Sequence, residues 1–114
     1  MSLREIELVL GTLDLLVLRA LSWRPMHGYA IVRFLRDGSN GAFEIRDGAL
    51  YAALHRMEER GWAESEWGQS ERGKRARFYR ITPAGRRALR AEAARWDSYV
   101  AAVHGVMTAN PEPA

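Results

Sequence analysis

The chain has 114 residues, of which 47% are hydrophobic, and a formal net charge of +3. A chain of this length forms one small domain with a single core, and much of its surface stays exposed to solvent. It contains no cysteine, which excludes disulfide frameworks, thiolate metal sites and cysteine nucleophiles and permits a reducing cytoplasm.

The N-terminal region predicts neither a membrane span nor a secretory signal. Asp14 and Arg19 interrupt the apolar stretch from Leu8 to Leu21, so no apolar run is long enough to cross a membrane. Glu5 and Glu7 stand where the core of a signal peptide is apolar. We therefore expect a soluble, cytoplasmic protein with no membrane partner.

Two helices are predicted in the first part of the chain. Leu13–Leu21 is apolar on nearly all sides, which is typical of a helix buried between other elements. Pro25 ends this region, and His27–Arg36 resumes a helical pattern. His27 lies beside Gly28 at the start of that helix, where a capping or packing role is a simpler interpretation than a ligand role.

A third helix, the candidate recognition helix, is predicted from Asp47, whose side chain can cap the first turn, to near Arg60. Gly61 suits the left-handed conformation that commonly closes a helix. The apolar residues of this helix recur at helical spacing: Leu50, Leu54 and Met57. Before the helix, Phe43 and Ile45 predict a short strand that pairs with the hairpin that follows.

The hairpin is predicted to have strands over Trp62–Trp67 and Arg77–Ile81. The loop between them, Gly68–Ala76, is longer than a tight turn needs. Its centre is Arg72, Gly73, Lys74 and Arg75. Basic side chains on an exposed loop are favourable beside a phosphate backbone, so we interpret this hairpin as the wing of a winged helix-turn-helix.

The last helix is predicted to begin at Thr82 and Pro83, because the hydroxyl can cap and proline at the first helical position loses no hydrogen bond. An apolar stripe runs along it with the alternating spacing of a coiled-coil seam: Leu89, Ala93, Trp96, Val100, Val103 and Met107. The stripe packs either only on the Leu13–Leu21 helix or also on a second copy of the chain. A helix about 37 Å long exceeds what so small a domain can cover, which favours the homodimer.

These elements predict a mainly α fold with a small β-hairpin, of the α+β class. We expect a winged helix-turn-helix domain over residues 1–81, a dimerisation helix over residues 82–108 and a disordered tail over residues 109–114. Trp96 and Val100 on the seam could also line a slot for a flat aromatic ligand, which is the less favoured interpretation of that tryptophan.

The sequence indicates no catalytic, metal or cofactor site. The histidines, His27, His55 and His104, have no partner at ligand spacing, and there is neither a strained nucleophile turn nor a glycine-rich phosphate loop. An enzyme is therefore disfavoured. His55, on the exposed face of the candidate recognition helix, is either a solvated residue or a DNA contact.

The basic residues are concentrated, since eight of them and no acidic residue lie from Arg72 to Arg90. A charge run taken alone is more often a solvated face. This one falls on a hairpin tip beside a candidate recognition helix, and that position favours nucleic-acid binding.

Six segments of the chain occur in the order and spacing of one known family. They are Leu10-Gly11-Thr12-Leu13-Asp14, His27-Gly28-Tyr29-Ala30-Ile31, Gly48-Ala49-Leu50-Tyr51-Ala52-Ala53-Leu54, Met57-Glu58, Gly61-Trp62, and Arg77-Phe78-Tyr79-Arg80-Ile81-Thr82 with Gly85. In these segments the chain resembles the PadR family of bacterial transcriptional regulators, specifically its short subtype with a single C-terminal helix. The resemblance runs from about Leu8 to Trp96.

The resemblance implies a homodimer whose two winged helix-turn-helix units enter adjacent major grooves of a palindromic operator in double-stranded DNA. It also implies repression relieved by a ligand. By position, Tyr51 matches the recognition-helix tyrosine of the family, and Trp96 matches a tryptophan that stacks on planar drugs in some short members. The family's basic wing corresponds to Lys74, Arg75 and Arg77.

The chain departs from the family pattern in two places. Ala52 stands where a proline often follows the tyrosine, and Arg46-Asp47 stands where a small polar residue and proline are common. Asp47 would repel a phosphate, so Arg46 is the expected contact there. The full set of expected DNA contacts is Arg46, Tyr51, Ala52, His55, Arg56, Arg72, Lys74, Arg75 and Arg77.

Two functions from different classes remain open at this point. The first is a sequence-specific, ligand-responsive DNA-binding repressor. The second is a winged-helix module for protein interaction or small-molecule sequestration, which the acidic residues near the recognition helix and wing support: Glu58, Glu59, Glu64, Glu66 and Glu71. Whether these acids point away from the face of Tyr51 discriminates the two. The operator, the effector, the regulated genes and the direction of regulation stay open.

Overall fold

The computed structural model describes residues 11–112. The elements in chain order are α1 (Thr12–Trp23), β1 (Met26–His27), α2 (Gly28–Gly38), α3 (Asp47–Glu59), β2 (Ala63–Gln69), β3 (Arg75–Ile81) and α4 (Pro83–Thr108). The strands form one antiparallel sheet in the order β1-β3-β2. This is the α+β architecture of a winged helix-turn-helix, as predicted.

The core lies between α1, α2, α3 and the inner face of the sheet. Its largest fully buried side chains are Val17, Leu18, Leu21, Ile31, Leu50, Leu54 and Met57. The helix predicted over Leu13–Leu21 is confirmed in substance, since α1 packs against all of the later helices and the sheet. Helix α1 is therefore the scaffold against which the other helices and the sheet pack.

The third strand is not the one that was predicted. Residues 42–46 have no regular structure, and the edge strand is Met26–His27, which pairs with Tyr79 and Phe78 of β3. Pro25 cannot continue α1, and the residue before it is extended, which delivers Met26 to the sheet edge. Met26 is 2% exposed, so burial of its side chain fixes this short strand.

Both ends of α3 are defined by local chemistry. The predicted cap at Asp47 is wrong, because Arg46 is the N-cap residue, without a side-chain cap hydrogen bond, and Asp47 is the first helical residue. Its carboxylate lies in the first turn, where the helix dipole favours a negative charge. At the other end Gly61 has φ 72° and the Trp62 amide donates to the Met57 carbonyl at 2.8 Å. This closure at Gly61 was predicted.

The wing strands are longer, and its loop shorter, than predicted. Pairing of Gly68 with Ala76 and of Gln69 with Arg75 continues the ladder, so only residues 70–74 form the loop. The backbone of Ser70 and Lys74 closes it at 2.8 Å. Gly68 and Ala76 pair at this end, and glycine and alanine are uncommon in strands, which is why the sequence pattern understated the strands.

Helix α4 begins as predicted, with Thr82 as its cap and Pro83 in the first turn. The Thr82 hydroxyl oxygen accepts from the Gly85 amide at 3.0 Å and donates to the Gly61 carbonyl at 2.6 Å. Ala88 and Leu89 pack on the core, whereas side chains from Trp96 onward are exposed. At 26 residues the helix is about 39 Å long, so its second half projects from the domain.

We predict that Gly85→Ala destabilises the fold by about 3 kcal/mol, because a Cβ at this position would lie 2.1 Å from the Trp62 carbonyl oxygen. Gly105→Ala is the matched control on the same helix, since a Cβ there meets nothing within 4 Å. We expect that variant to be more stable by about 0.5–1 kcal/mol. Urea unfolding measures both, and equal stability of the two variants would contradict the close contact.

Candidate nucleic-acid interface

The exposed face of α3 carries Tyr51, Ala52 and His55. Tyr51 is half exposed, and its hydroxyl lies against the start of α2, where a Cβ on Gly28 would be 2.7 Å from the phenol oxygen. The His55 Nε2 atom lies 2.8 Å from Glu59 Oε1, one turn further along the helix. The structure thus brings these three predicted residues together on one surface.

Arg56 belongs to a different environment from the other predicted residues on α3. Its Nη2 and Nε atoms donate to the two carboxylate oxygens of Asp14 on α1, at 2.6 and 3.3 Å. Arg60 Nη1 reaches the same carboxylate at 3.4 Å. Donation of these hydrogen bonds to the Asp14 carboxylate raises the pKa of Arg56. These contacts attach α3 to α1, so Arg56 has a partner within the domain.

The inner face of the wing is continuous with α3. Residues paired across an antiparallel ladder share a face, so Arg77 and Trp67 lie on the same side as the buried Tyr79. Ser65 Oγ on this face donates to Glu58 Oε2 of α3 at 2.9 Å and accepts from Arg77 Nε at 2.8 Å. Glu58 therefore holds the wing against α3.

Trp67 lies between two arginines on this inner face, and sequence reasoning did not single it out. Its side chain is 58% exposed. The guanidinium carbons of Arg75 and Arg77 lie 4.4 and 6.0 Å from the centre of its ring. The strand register is the signal that could have identified Trp67. In this register Trp67 pairs with Arg77, and Arg75 lies diagonally across from it because the ladder continues to Gln69.

The acidic residues of β2 lie on the outer face of the wing. Glu64 pairs with Arg80 at 2.8 Å, and Glu66 lies 3.9 Å from the same guanidinium. The hydrogen bond that Arg80 donates to Glu64 raises the pKa of Arg80. These acids point away from α3 and share one guanidinium, which weakens the main argument for the interaction-module function. Of the remaining acids, Glu59 stays on the exposed face of α3, paired with His55, and Glu71 is exposed on the wing loop.

A cleft of about 840 Å³ separates α2 from the wing loop. Five of its lining side chains are cationic and two are acidic: Arg24, Arg33, Arg72, Lys74 and Arg75, with Asp37 and Glu71. Among residues 11–112, no carboxylate lies within ion-pairing distance of any of the five. The sequence analysis did not include Arg24 and Arg33 among the expected DNA contacts, because each is isolated from the basic run in sequence. The fold of β1 and α2 brings them to the same cleft as the wing cations. Arg46 stands apart from this cleft, exposed at the N-terminal end of α3.

The predicted seam residues form an exposed stripe on the projecting part of α4. Leu89 and Ala93 are partly buried, whereas Trp96, Val100, Val103 and Met107 are 37%, 43%, 44% and 76% exposed. The Trp96 ring lies 6.0 Å from that of Tyr99. An apolar stripe of this kind has no cover within the described part of the chain.

Within residues 11–112, no group of three His, Asp or Glu side chains is close enough to hold a metal ion. No helix in the same range combines the length and the apolar character that crossing a membrane requires.

Comparison with known proteins agrees with this geometry. Residues 17–91 match the model of the transcriptional regulator PadR-like family. A solved PadR family transcriptional regulator from Eggerthella lenta is 35% identical, with a TM-score of 0.74 over 88% of this chain and 85% of that one. A PadR family transcription regulator from Clostridium difficile is 26% identical, with a TM-score of 0.74 over 85% of this chain and 99% of that one. An uncharacterised protein from Lysinibacillus sphaericus is 30% identical over 80 residues, or 70% of this chain and 73% of that protein.

Proposed function

Because this chain belongs to the PadR-like family of transcriptional regulators, we propose that it is a sequence-specific, ligand-responsive repressor that acts as a homodimer in the cytoplasm. Family membership makes it a DNA-binding regulator and not an enzyme. One observation supports the DNA-binding surface above all others. The wing cations and the exposed face of α3 lie together, while Glu64 and Glu66 are turned to the outer face and paired.

In this proposal α3 enters the major groove of a palindromic operator. Tyr51, Ala52 and His55 meet the base edges, where hydroxyl and imidazole groups hydrogen-bond and a methyl group contacts thymine. Arg46 meets a phosphate at the start of the helix. Arg56 contributes only if it leaves Asp14, so we expect a smaller share of the affinity from it.

The wing supplies most of the sequence-independent affinity. Arg72, Lys74, Arg75 and Arg77 contact phosphates and release counterions from the DNA. Arg24 and Arg33 face the same cleft as the first three of these and extend the positive surface towards α2.

The homodimer is proposed to form through the exposed stripe of α4. Burial of Trp96, Val100, Val103 and Met107 against a second copy removes apolar surface from water, which is the dominant favourable term in association. A two-fold dimer places its recognition helices about 34–36 Å apart, one turn of DNA.

The effector is proposed to be a planar aromatic molecule bound at this seam, between Trp96 and Val100 of the two copies. It shifts the equilibrium between two dimer arrangements only by its differential affinity for them. Tyr99, next to Trp96, adds a second aromatic surface.

The wing predicts a change in salt dependence. Replacing Arg75 and Arg77 with alanine should weaken binding to all DNA sequences and reduce the slope of log K against log salt by about 1.8, at about 0.9 per phosphate contact. Fluorescence anisotropy with the protein's own upstream DNA and an unrelated fragment, across a salt series, measures this. Arg80→Ala is the control, since it removes one positive charge from the outer face of the same strand and should leave the slope unchanged. An unchanged slope in the double variant would remove the wing from the mechanism.

The stripe predicts a change of oligomeric state. Val100→Glu should convert the dimer to a monomer, because a carboxylate buried at the seam is not paired. Ser98→Glu adds the same charge on the opposite side of α4 and should leave the dimer intact. Sedimentation velocity measures both, with circular dichroism to verify folding. A Val100→Glu variant that remains dimeric would place the interface elsewhere.

The effector site predicts a loss of dye binding. Proflavine, a planar aromatic dye, should quench tryptophan fluorescence of the wild-type protein without DNA, and Trp96→Ala should weaken this binding at least about tenfold because it removes the stacking surface. Trp23→Phe, at an exposed site on α1, is the control. Equal affinity in the Trp96 variant would argue against the seam as the ligand site.

A further inference from the structure

The wing contains an exposed aromatic side chain, Trp67, that does not pack in the hydrophobic core. Trp67 is 58% exposed and is absent from the buried cluster around Tyr79. Leaving so large an apolar ring in solvent on a polar strand gains little for folding. Its neighbours on the inner face are the guanidinium groups of Arg75 and Arg77.

The register sets this arrangement. Arg77 lies directly across from Trp67, and Arg75 lies diagonally across on the same face, so the two guanidinium groups approach the ring from two positions along β3. The guanidinium carbon of Arg75 lies 4.4 Å from the ring centre, within the range of a cation–π interaction. In the described part of the chain, no carboxylate lies within ion-pairing distance of Arg75.

Arg77 is held from a second direction as well. Its Nε donates to Ser65 Oγ, and its Nη2 lies 3.6 Å from Glu58 on α3. The Arg75 guanidinium has no such polar partner among residues 11–112, and its closest aromatic contact is the Trp67 ring, whose centre lies 4.4 Å from the guanidinium carbon. A free arginine side chain loses much rotamer entropy when it binds a phosphate, and a ring that already holds it reduces that loss.

We propose that Trp67 is a positioning residue for DNA binding, which holds the Arg75 and Arg77 guanidinium groups in the orientation that meets the phosphate backbone. This inference rests on the proposed function, because it concerns the same wing contacts. The ring acts through the arginines and carries no charge itself. It therefore affects affinity and leaves the number of released counterions unchanged.

The test compares DNA binding of Trp67→Leu, Trp67→Phe and Trp23→Leu by anisotropy across a salt series. Trp23 is the matched control, because it is 60% exposed on α1 and has the Arg19 guanidinium 4.7 Å from its ring. We expect Trp67→Leu to bind about 5- to 30-fold more weakly with an unchanged salt slope. Trp67→Phe should recover much of the affinity, and Trp23→Leu should bind as the wild type does. Wild-type affinity in Trp67→Leu would overturn the proposal.

A double-mutant cycle separates positioning from direct contact with DNA. In a chain with Arg75→Ala and Arg77→Ala, Trp67→Leu should cause no further loss of affinity, because the groups that the ring positions are gone. An equal loss in both backgrounds would show that the ring itself contacts DNA, and would overturn the positioning role.

A measurement on the free protein keeps the inference distinct from the proposed function. The δ-methylene protons of Arg75 should show an upfield ring-current shift in the NMR spectrum, which Trp67→Leu abolishes and Trp23→Leu leaves unchanged. Absence of that shift would overturn the stacking without reference to DNA. Absence of specific binding by the wild-type protein, with the shift present, would instead overturn the proposed function. Thermal unfolding verifies that each variant is folded.

Discussion

The hydroxyl group of Thr82 joins the three parts of the molecule on which its function depends. It donates to the Gly61 carbonyl at the end of α3 and accepts from the Gly85 amide in the first turn of α4. Thr82 itself directly follows Ile81, the last residue of the wing. The Thr82 amide also donates to the Trp62 carbonyl at 3.0 Å. Because both hydrogen-bonding groups of one partly enclosed side chain are used, neither is left unsatisfied.

Polar contacts then fix α3, the recognition helix of the proposed function, between α1 and the wing. Asp14 holds Arg56 and Arg60 on one flank of α3, and Glu58 holds Ser65 and Arg77 on the other. Exposed ion pairs contribute little to stability, so these contacts matter chiefly because they set orientation. They also pair the carboxylates of Asp14 and Glu58 on the two flanks of α3, which leaves the cations of the wing tip available to an external anion.

The features predicted correctly from the sequence are those that local chemistry determines. Gly61 ends α3 through its positive φ, and Thr82 and Pro83 begin α4 through capping and the fixed proline φ. Each of these effects depends only on residues within one turn. Features that depend on pairing over a distance were missed. The edge strand at Met26 is fixed by Tyr79, and the partner of Arg56 lies 42 residues away in sequence. The inner and outer faces of the wing likewise depend on register, which the exposed residues at its tip do not reveal.

The close packing at the start of α4 also constrains how a ligand at its far end could act. Gly85 leaves no space between α4 and the Trp62 carbonyl, and the Arg86 amide donates to the Thr82 carbonyl at 2.9 Å. No flexible linker separates the wing from the helix, because Thr82 alone lies between β3 and Pro83. In the proposed dimer, a change in the angle between the two α4 helices therefore moves each winged helix-turn-helix domain as a rigid unit. The effector would change the spacing of the two winged helix-turn-helix domains and leave the geometry within each domain unchanged. Packed interfaces switch between discrete arrangements more readily than they deform.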